Sequence, residues 1–215
     1  MLVLTMAHPP IIMPLHFGFL SGIRLTRHQK AVGGFSLVEV LVSIVVLSFG
    51  LLGMVGMQAA ALQSNREARF QSSAVVMARE LGESIRGNKA EGIKTTNNPY
   101  VGSFSSPLVA TTPMYCLNVT TACANAAEIA QAQMTEWLAR VDSELPGARV
   151  EICFDSAPFD SHGLPRWACD NTGDSLVIKI GWTQGSTDKS KTGNDALVRA
   201  ATPSVVLPVT AGSSV

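Results

Sequence analysis

GFSLVEVLVSIVVLSFGLLGMVGMQ, residues 34–58, contains a single charged side chain, Glu39, and the next one along the chain is Arg66. From Val40 to Asn65 there is no charge at all, and most positions are Val, Leu, Ile, Phe, Met, Ala or Gly. A bilayer core about 30 Å thick is crossed by roughly 20 apolar residues in helix, so Phe35 to Met57 is long enough to span. The alternative is the buried core helix of a soluble domain, but such apolar runs seldom exceed about 14 residues. No proline lies between residues 15 and 98, so nothing forces a break. Residues 35–57 therefore read as a membrane-spanning helix.

The flanks set its direction. Residues 21–34, SGIRLTRHQKAVGG, carry Arg24, Arg27, His28 and Lys30 with no acid. A cationic segment before the span predicts a cytoplasmic N-terminus and an exported bulk, although Arg66 and Arg69 on the far side reduce the asymmetry. A secretory signal carries its small-residue cleavage site after the apolar run and is discarded whole. Here Gly33-Gly34 precedes the run, so cleavage there removes a leader, residues 1–34, and keeps the helix as an anchor. Residues 1–20 are apolar, but Pro9, Pro10 and Pro14 argue against a second span. Met6 and Met13 are alternative starts.

Over the whole chain, 16 basic residues balance 16 acidic ones, so no basic surface points to nucleic acid. Charged residues make up 15% against a usual ~25%, and apolar residues 47%, which excludes a disordered chain.

The pattern Gly34-Phe35-Ser36-Leu37-Val38-Glu39, ahead of the apolar run and behind a basic leader, resembles the signature of type IV prepilins: Gly, Phe, then Glu four residues beyond the Phe. The continuation SLVEVLVSIVVLSFGLLGMVGMQ is most similar to minor pilins of the PilV type, and a weaker similarity extends to AEIAQAQMTEWLARVDSELPG, residues 127–147. The resemblance implies cleavage between Gly34 and Phe35 and N-methylation of Phe35, both by prepilin peptidase. It further implies a structural subunit, not an enzyme, with no cofactor. Its partners would be the inner membrane, the major pilin and other minor pilins, with which it initiates type IV pilus assembly and enters the fibre near the tip. A minor pseudopilin of type II secretion shares this leader and helix. A single-pass anchored periplasmic enzyme is the rival of another class, and it requires a catalytic cleft that the sequence does not show.

A carboxylate within a span costs about 2.5–3.5 kcal/mol on insertion scales and calls for a partner. After cleavage the Phe35 α-amino group lies four residues from Glu39, on the same helix face. The amine has two candidate partners, Glu39 of its own chain or the equivalent of a neighbouring subunit; the resemblance implies the second. The alternative is a Glu snorkelling to the headgroups. Gly50, Gly53 and Gly56 stand where major pilins carry a proline; they serve close helix packing or local melting, or are ordinary membrane-helix glycines.

Phe70, Ala74, Met77, Leu81 and Ile85 recur at helical steps, and Gly87-Asn88 supplies a stop. The helix thus continues as an amphipathic segment, residues 58–87, giving 53 residues from Phe35 and about 80 Å of length. Residues 88–215 then form an exported head. Residues 88–113 read as an irregular loop. Asn125 with Glu128 is a capping box opening a helix at 126–145, with core face Ala130, Met134, Trp137, Leu138, Val141 and Leu145. Strand patterns follow at Val150–Phe154, Leu176–Trp182 and, more weakly, Leu197–Ala201. Val205–Val209 adds an edge piece limited by Pro208. The expected class is α+β, the type IV pilin fold, with an antiparallel sheet packed on the long helix.

Cys116, Cys123, Cys153 and Cys169 all lie beyond the span, and four cysteines in an exported domain read as disulfides. Three connectivities are open; Cys116–Cys123 with Cys153–Cys169 is the local one. No CxxC spacing supports zinc, so no metal is expected. Asp155, Asp160 and His162, and Asp170, Asn171 and Asp174, sit in turn-rich connections and read as solvated turn residues. None is assigned a catalytic role.

Overall fold

The computed structural model describes residues 34–186, 188 and 190–212; of the expected leader only Gly34 falls among them. Helix α1 (Leu37–Gly87) begins two residues later than expected. Ser36 takes the cap position: its carbonyl accepts from the Glu39 and Val40 N–H groups at 3.0 and 3.2 Å, and its hydroxyl accepts from Val38 N–H at 3.3 Å. The chain divides into two units after Gly50. In the first, the described residues are all exposed, large apolar side chains included. α1 is long and apolar enough to cross a membrane, and none of its apolar window is buried. Ser43 and Ser48 donate to the Glu39 and Ile44 carbonyls at 2.7 Å, so neither hydroxyl needs water.

In the second unit α1 becomes amphipathic. Ala74, Met77, Ala78, Leu81, Gly82 and Ile85 are buried; of the expected stripe only Phe70 is partly buried, and the small Ala78 and Gly82 are added. At Gly82 a Cβ would lie 3.3 Å from Val209, so the missing side chain lets strand and helix approach closely. A short helix α2 (Lys89–Gly92) and strand β1 (Gly102–Ser105) follow, both inside the segment expected to be irregular. With one buried apolar residue, Phe104, GSFS carries almost no alternating pattern; it is a strand because β2 pairs with it. Helix α3 (Ala126–Glu144) has the expected cap, Asn125 Oδ1 accepting from Glu128 N–H at 3.0 Å and Glu128 accepting from Ala124 N–H at 2.8 Å.

Strands β2 (Arg149–Phe154), β3 (Leu176–Gly181) and β6 (Val205–Val209) complete a four-stranded antiparallel sheet in the order β1-β2-β3-β6. The edge place of β6 is where Pro208, which lacks an N–H, is tolerated. The weak pattern after Leu197 does not join this sheet. Instead β4 (Thr183–Gly185) and β5 (Leu197–Arg199) form a separate two-stranded ribbon. Sequence alternation missed β4 because β3 ends at Gly181 and, after Trp182, β4 is only Thr, Gln and Gly, with no apolar residue to alternate.

The core lies between the inner sheet face and the two long helices: Leu81, Ile85, Trp137, Leu138, Val141, Val150, Ile152, Ile178 and Ile180 are all buried in it. Polar tips inside this layer are partnered. Trp137 Nε1 donates to the Met77 carbonyl at 2.9 Å, fixing α3 on α1; outside the layer, the exposed Arg140 donates twice to Glu80, at 3.0 and 2.6 Å. Glu67 accepts from Trp182 Nε1 and Gln184 Nε2, at 3.1 and 2.9 Å. The fully buried Tyr100 donates to Gln133 at 2.5 Å, and burial pushes its phenol up to about 12.

Every residue of β3 is buried. Leu176, Ile178 and Ile180 face the core; Val177, Lys179 and Gly181 alternate with them and face the other side. That side is covered by the long β2–β3 connection, whose Trp167 lies against Gly181.

Candidate functional site

Two places concentrate the chemistry anticipated from sequence. The first is the start of α1. Gly34, Phe35 and Ser36 precede the helix, the Phe35 ring is 84% exposed, and Glu39 sits in the first turn. Gly34 and Phe35 are both exposed, and a Cβ at Gly34 would meet nothing within 4 Å. An acid in the first turn also suits the positive end of the helix dipole. Gly50, Gly53 and Gly56 likewise have nothing within 4 Å, which leaves three notches on a bare apolar helix.

The second is the outer sheet face. Cys153 on β2 is bonded to Cys169 in the β2–β3 connection, with Cα atoms 6.3 Å apart, and Cys116 is bonded to Cys123, with Cα atoms 4.9 Å apart. The Cys153–Cys169 bridge ties the connection down over Lys179, which is 0% exposed. Lys179 Nζ donates to Asp155 Oδ2 at 2.5 Å and to the Ala168 carbonyl at 2.9 Å. Arg166 lies 3.7 Å from the other Asp155 oxygen. Asp155 is thus no solvated turn residue, as its surroundings in sequence suggest, but half of a buried ion pair. The signal for it was Lys179, a charge in the middle of LVIKIG.

The other acids behave as turn residues. Asp160 accepts from the His162 and Leu164 N–H groups, each at 2.8 Å. Asp170 accepts from Ser156 and Thr172, and these hydrogen bonds hold its carboxyl well below the usual range. Cys153, Asp155 and Cys169 converge as a metal set would, but the sulfurs are bonded to each other and the carboxylate to Lys179. Bonded in this way, the three offer no ligand set.

Comparison with known proteins bears on the first place. A family model, the prokaryotic N-terminal methylation motif, matches residues 29–55. No curated protein and no solved structure matches the chain. The motif supports a type IV pilin-like prepilin or pseudopilin, and it implies processing by prepilin peptidase and assembly with other pilins. The long apolar helix near the N-terminus fits a single-pass membrane anchor, and the small antiparallel sheet that follows fits a pilin fold.

Proposed function

We propose that the protein is a minor pilin of the PilV type, a structural subunit and not an enzyme. Residues 1–34 are its leader, 35–57 its membrane anchor, 58–87 the amphipathic continuation and 88–215 the periplasmic head. Prepilin peptidase cuts between Gly34 and Phe35 and methylates the new Phe35 amine. The subunit then joins other minor pilins at the inner membrane, begins the pilus and enters it near the tip.

The observation that carries this reading is the methylation motif over residues 29–55, set on a helix whose apolar window is entirely bare. A helix so apolar gains stability only by leaving water, first for lipid and then for the apolar helices of other subunits. Glu39 supplies the register: its carboxylate pairs with the α-amino group of a neighbouring subunit, and a misplaced neighbour leaves both charges unpaired in an apolar setting.

The test is capture of partners. Cross-linking in membranes, followed by identification of the trapped chains, is expected to return minor and major pilins of the type IV pilus. Return of type II secretion pseudopilins would assign the chain to that machine and overturn the pilus reading.

A further inference from the structure

We propose that the folded unit carries a phosphate site between the sheet and the β4–β5 ribbon. Strand register sets Ser105, Arg149 and Gly181 side by side on neighbouring strands. Trp167 lies over this row because Gly181 has no side chain: a Cβ there would come within 2.8 Å of the ring. The ring is fixed from the far side, Trp167 Nε1 donating to the Ala200 carbonyl at 3.3 Å. Arg199 on β5 contributes another wall. Together they line a cavity of about 180 Å³ whose lining includes two arginines and no carboxylate.

Arg149 has a loose acidic partner, and Arg199 has none among the described residues. The Arg149 guanidinium carbon sits 4.3 Å from the centre of the Trp167 ring, a stacking contact that holds the group flat and leaves its N–H edge to donate. Its acidic neighbour, Glu151, is 3.9 Å away and already accepts from the Ser103 hydroxyl at 2.7 Å. Arg199 forms no ion pair within 4 Å among the described residues. Both arginines line the one cavity, and a planar guanidinium fork suits the oxygens of phosphate.

Size and charge narrow the ligand. Pockets for drug-sized molecules run to roughly 300–1,000 Å³, so this one takes a single small group. The indole face is occupied by Arg149, which excludes stacking of a sugar or base. A phosphomonoester carries about −1.5 to −2 at pH 7, matching the two guanidinium charges. The site thus fits inorganic phosphate or the terminal phosphate of a lipid headgroup.

Calorimetric titration of the full chain in neutral detergent, with inorganic phosphate, glycerol 3-phosphate and acetate as separate probes, tests this. Saturable one-site binding of phosphate is expected, with acetate much weaker. Arg149→Gln and Arg199→Gln should each weaken phosphate about tenfold or more, the loss of one charge-assisted hydrogen bond. Arg86→Gln, on α1, should leave it unchanged. Binding of both phosphates points to a headgroup-borne ligand, and binding of inorganic phosphate alone to the free ion; either supports the site. Arg149→Gln also loses the indole contact, so Arg199→Gln, on the exposed ribbon, decides. The proposal fails if neither phosphate binds at tens of millimolar, if acetate binds as tightly, or if Arg199→Gln matches wild type.

Discussion

Glu39 and Asp155 are two carboxylates in opposite settings. Glu39 is exposed and lies outside the core, which is built from residues of the second unit. Glu39→Val should therefore insert normally, with head stability unchanged, while pilus number and capture of partner pilins fall sharply. Glu39→Asp should be intermediate, its shorter arm misplacing the charge. Equal pilus number and partner capture for Glu39→Val and wild type at equal expression would remove the pairing role. Asp155 works inside the folded unit. Asp155→Ala leaves the Lys179 ammonium buried without its partner and should destabilise by about 3–5 kcal/mol in denaturant unfolding. Asp155→Ala with Lys179→Met should recover much of that loss, because no charge is then stranded. Tyr100 gives a pH signature. Its folded value of about 12 lies above the ordinary 10, so the unfolded chain releases this proton first as pH rises. Its contribution is whole below pH 10 and is lost as pH climbs from about 10 towards 12. Tyr100→Phe should flatten that part of the stability profile, which alkaline unfolding curves measure.

At the scale of elements, what was legible followed from periodicity and caps. The stripe of α1, the Asn125–Glu128 box of α3 and the alternation of β2 and β3 are each written in consecutive residues, and each element forms where those residues put it. β1, β4 and the covered outer face were not, because none of them is specified locally. GSFS becomes a strand only when β2 offers its edge, and TQG only when β5 folds back upon it. The outer face of β3 was hidden for a related reason: alternation identified one buried side, while Val177 and Lys179 are covered by the irregular connection that leads into β3, where no periodic pattern announces a packing role. That connection depends on the Cys153–Cys169 bridge. Replacing both cysteines by Ser should lower stability by about 3 kcal/mol, since a closed loop of this size restricts the unfolded chain by that order. Peptide mapping without reductant should recover Cys116–Cys123 and Cys153–Cys169 as linked pairs, and four free thiols would mean that the head matures in a reducing compartment.

For the molecule as a whole, the two units answer to different solvents. Among the described residues of the first, a bare apolar helix carries Glu39 and two serines bonded to its own backbone. The second is a folded α+β unit with a partnered core. The methylation motif at the start of α1 was legible because it is written in consecutive residues, 29–55. The arginine pocket was not, since Arg149 and Arg199 are fifty positions apart and come to line one cavity only because Arg149 pairs with Gly181 and Arg199 with Thr183. A pilin of this kind requires that the leader be removed and the helix retained. Mass spectrometry of the intact protein from membranes measures this directly. The account predicts a chain beginning at Phe35 with one added methyl group, leaving 13 basic against 16 acidic residues. An intact leader, or an N-terminus beyond the apolar helix near residue 60, would contradict it.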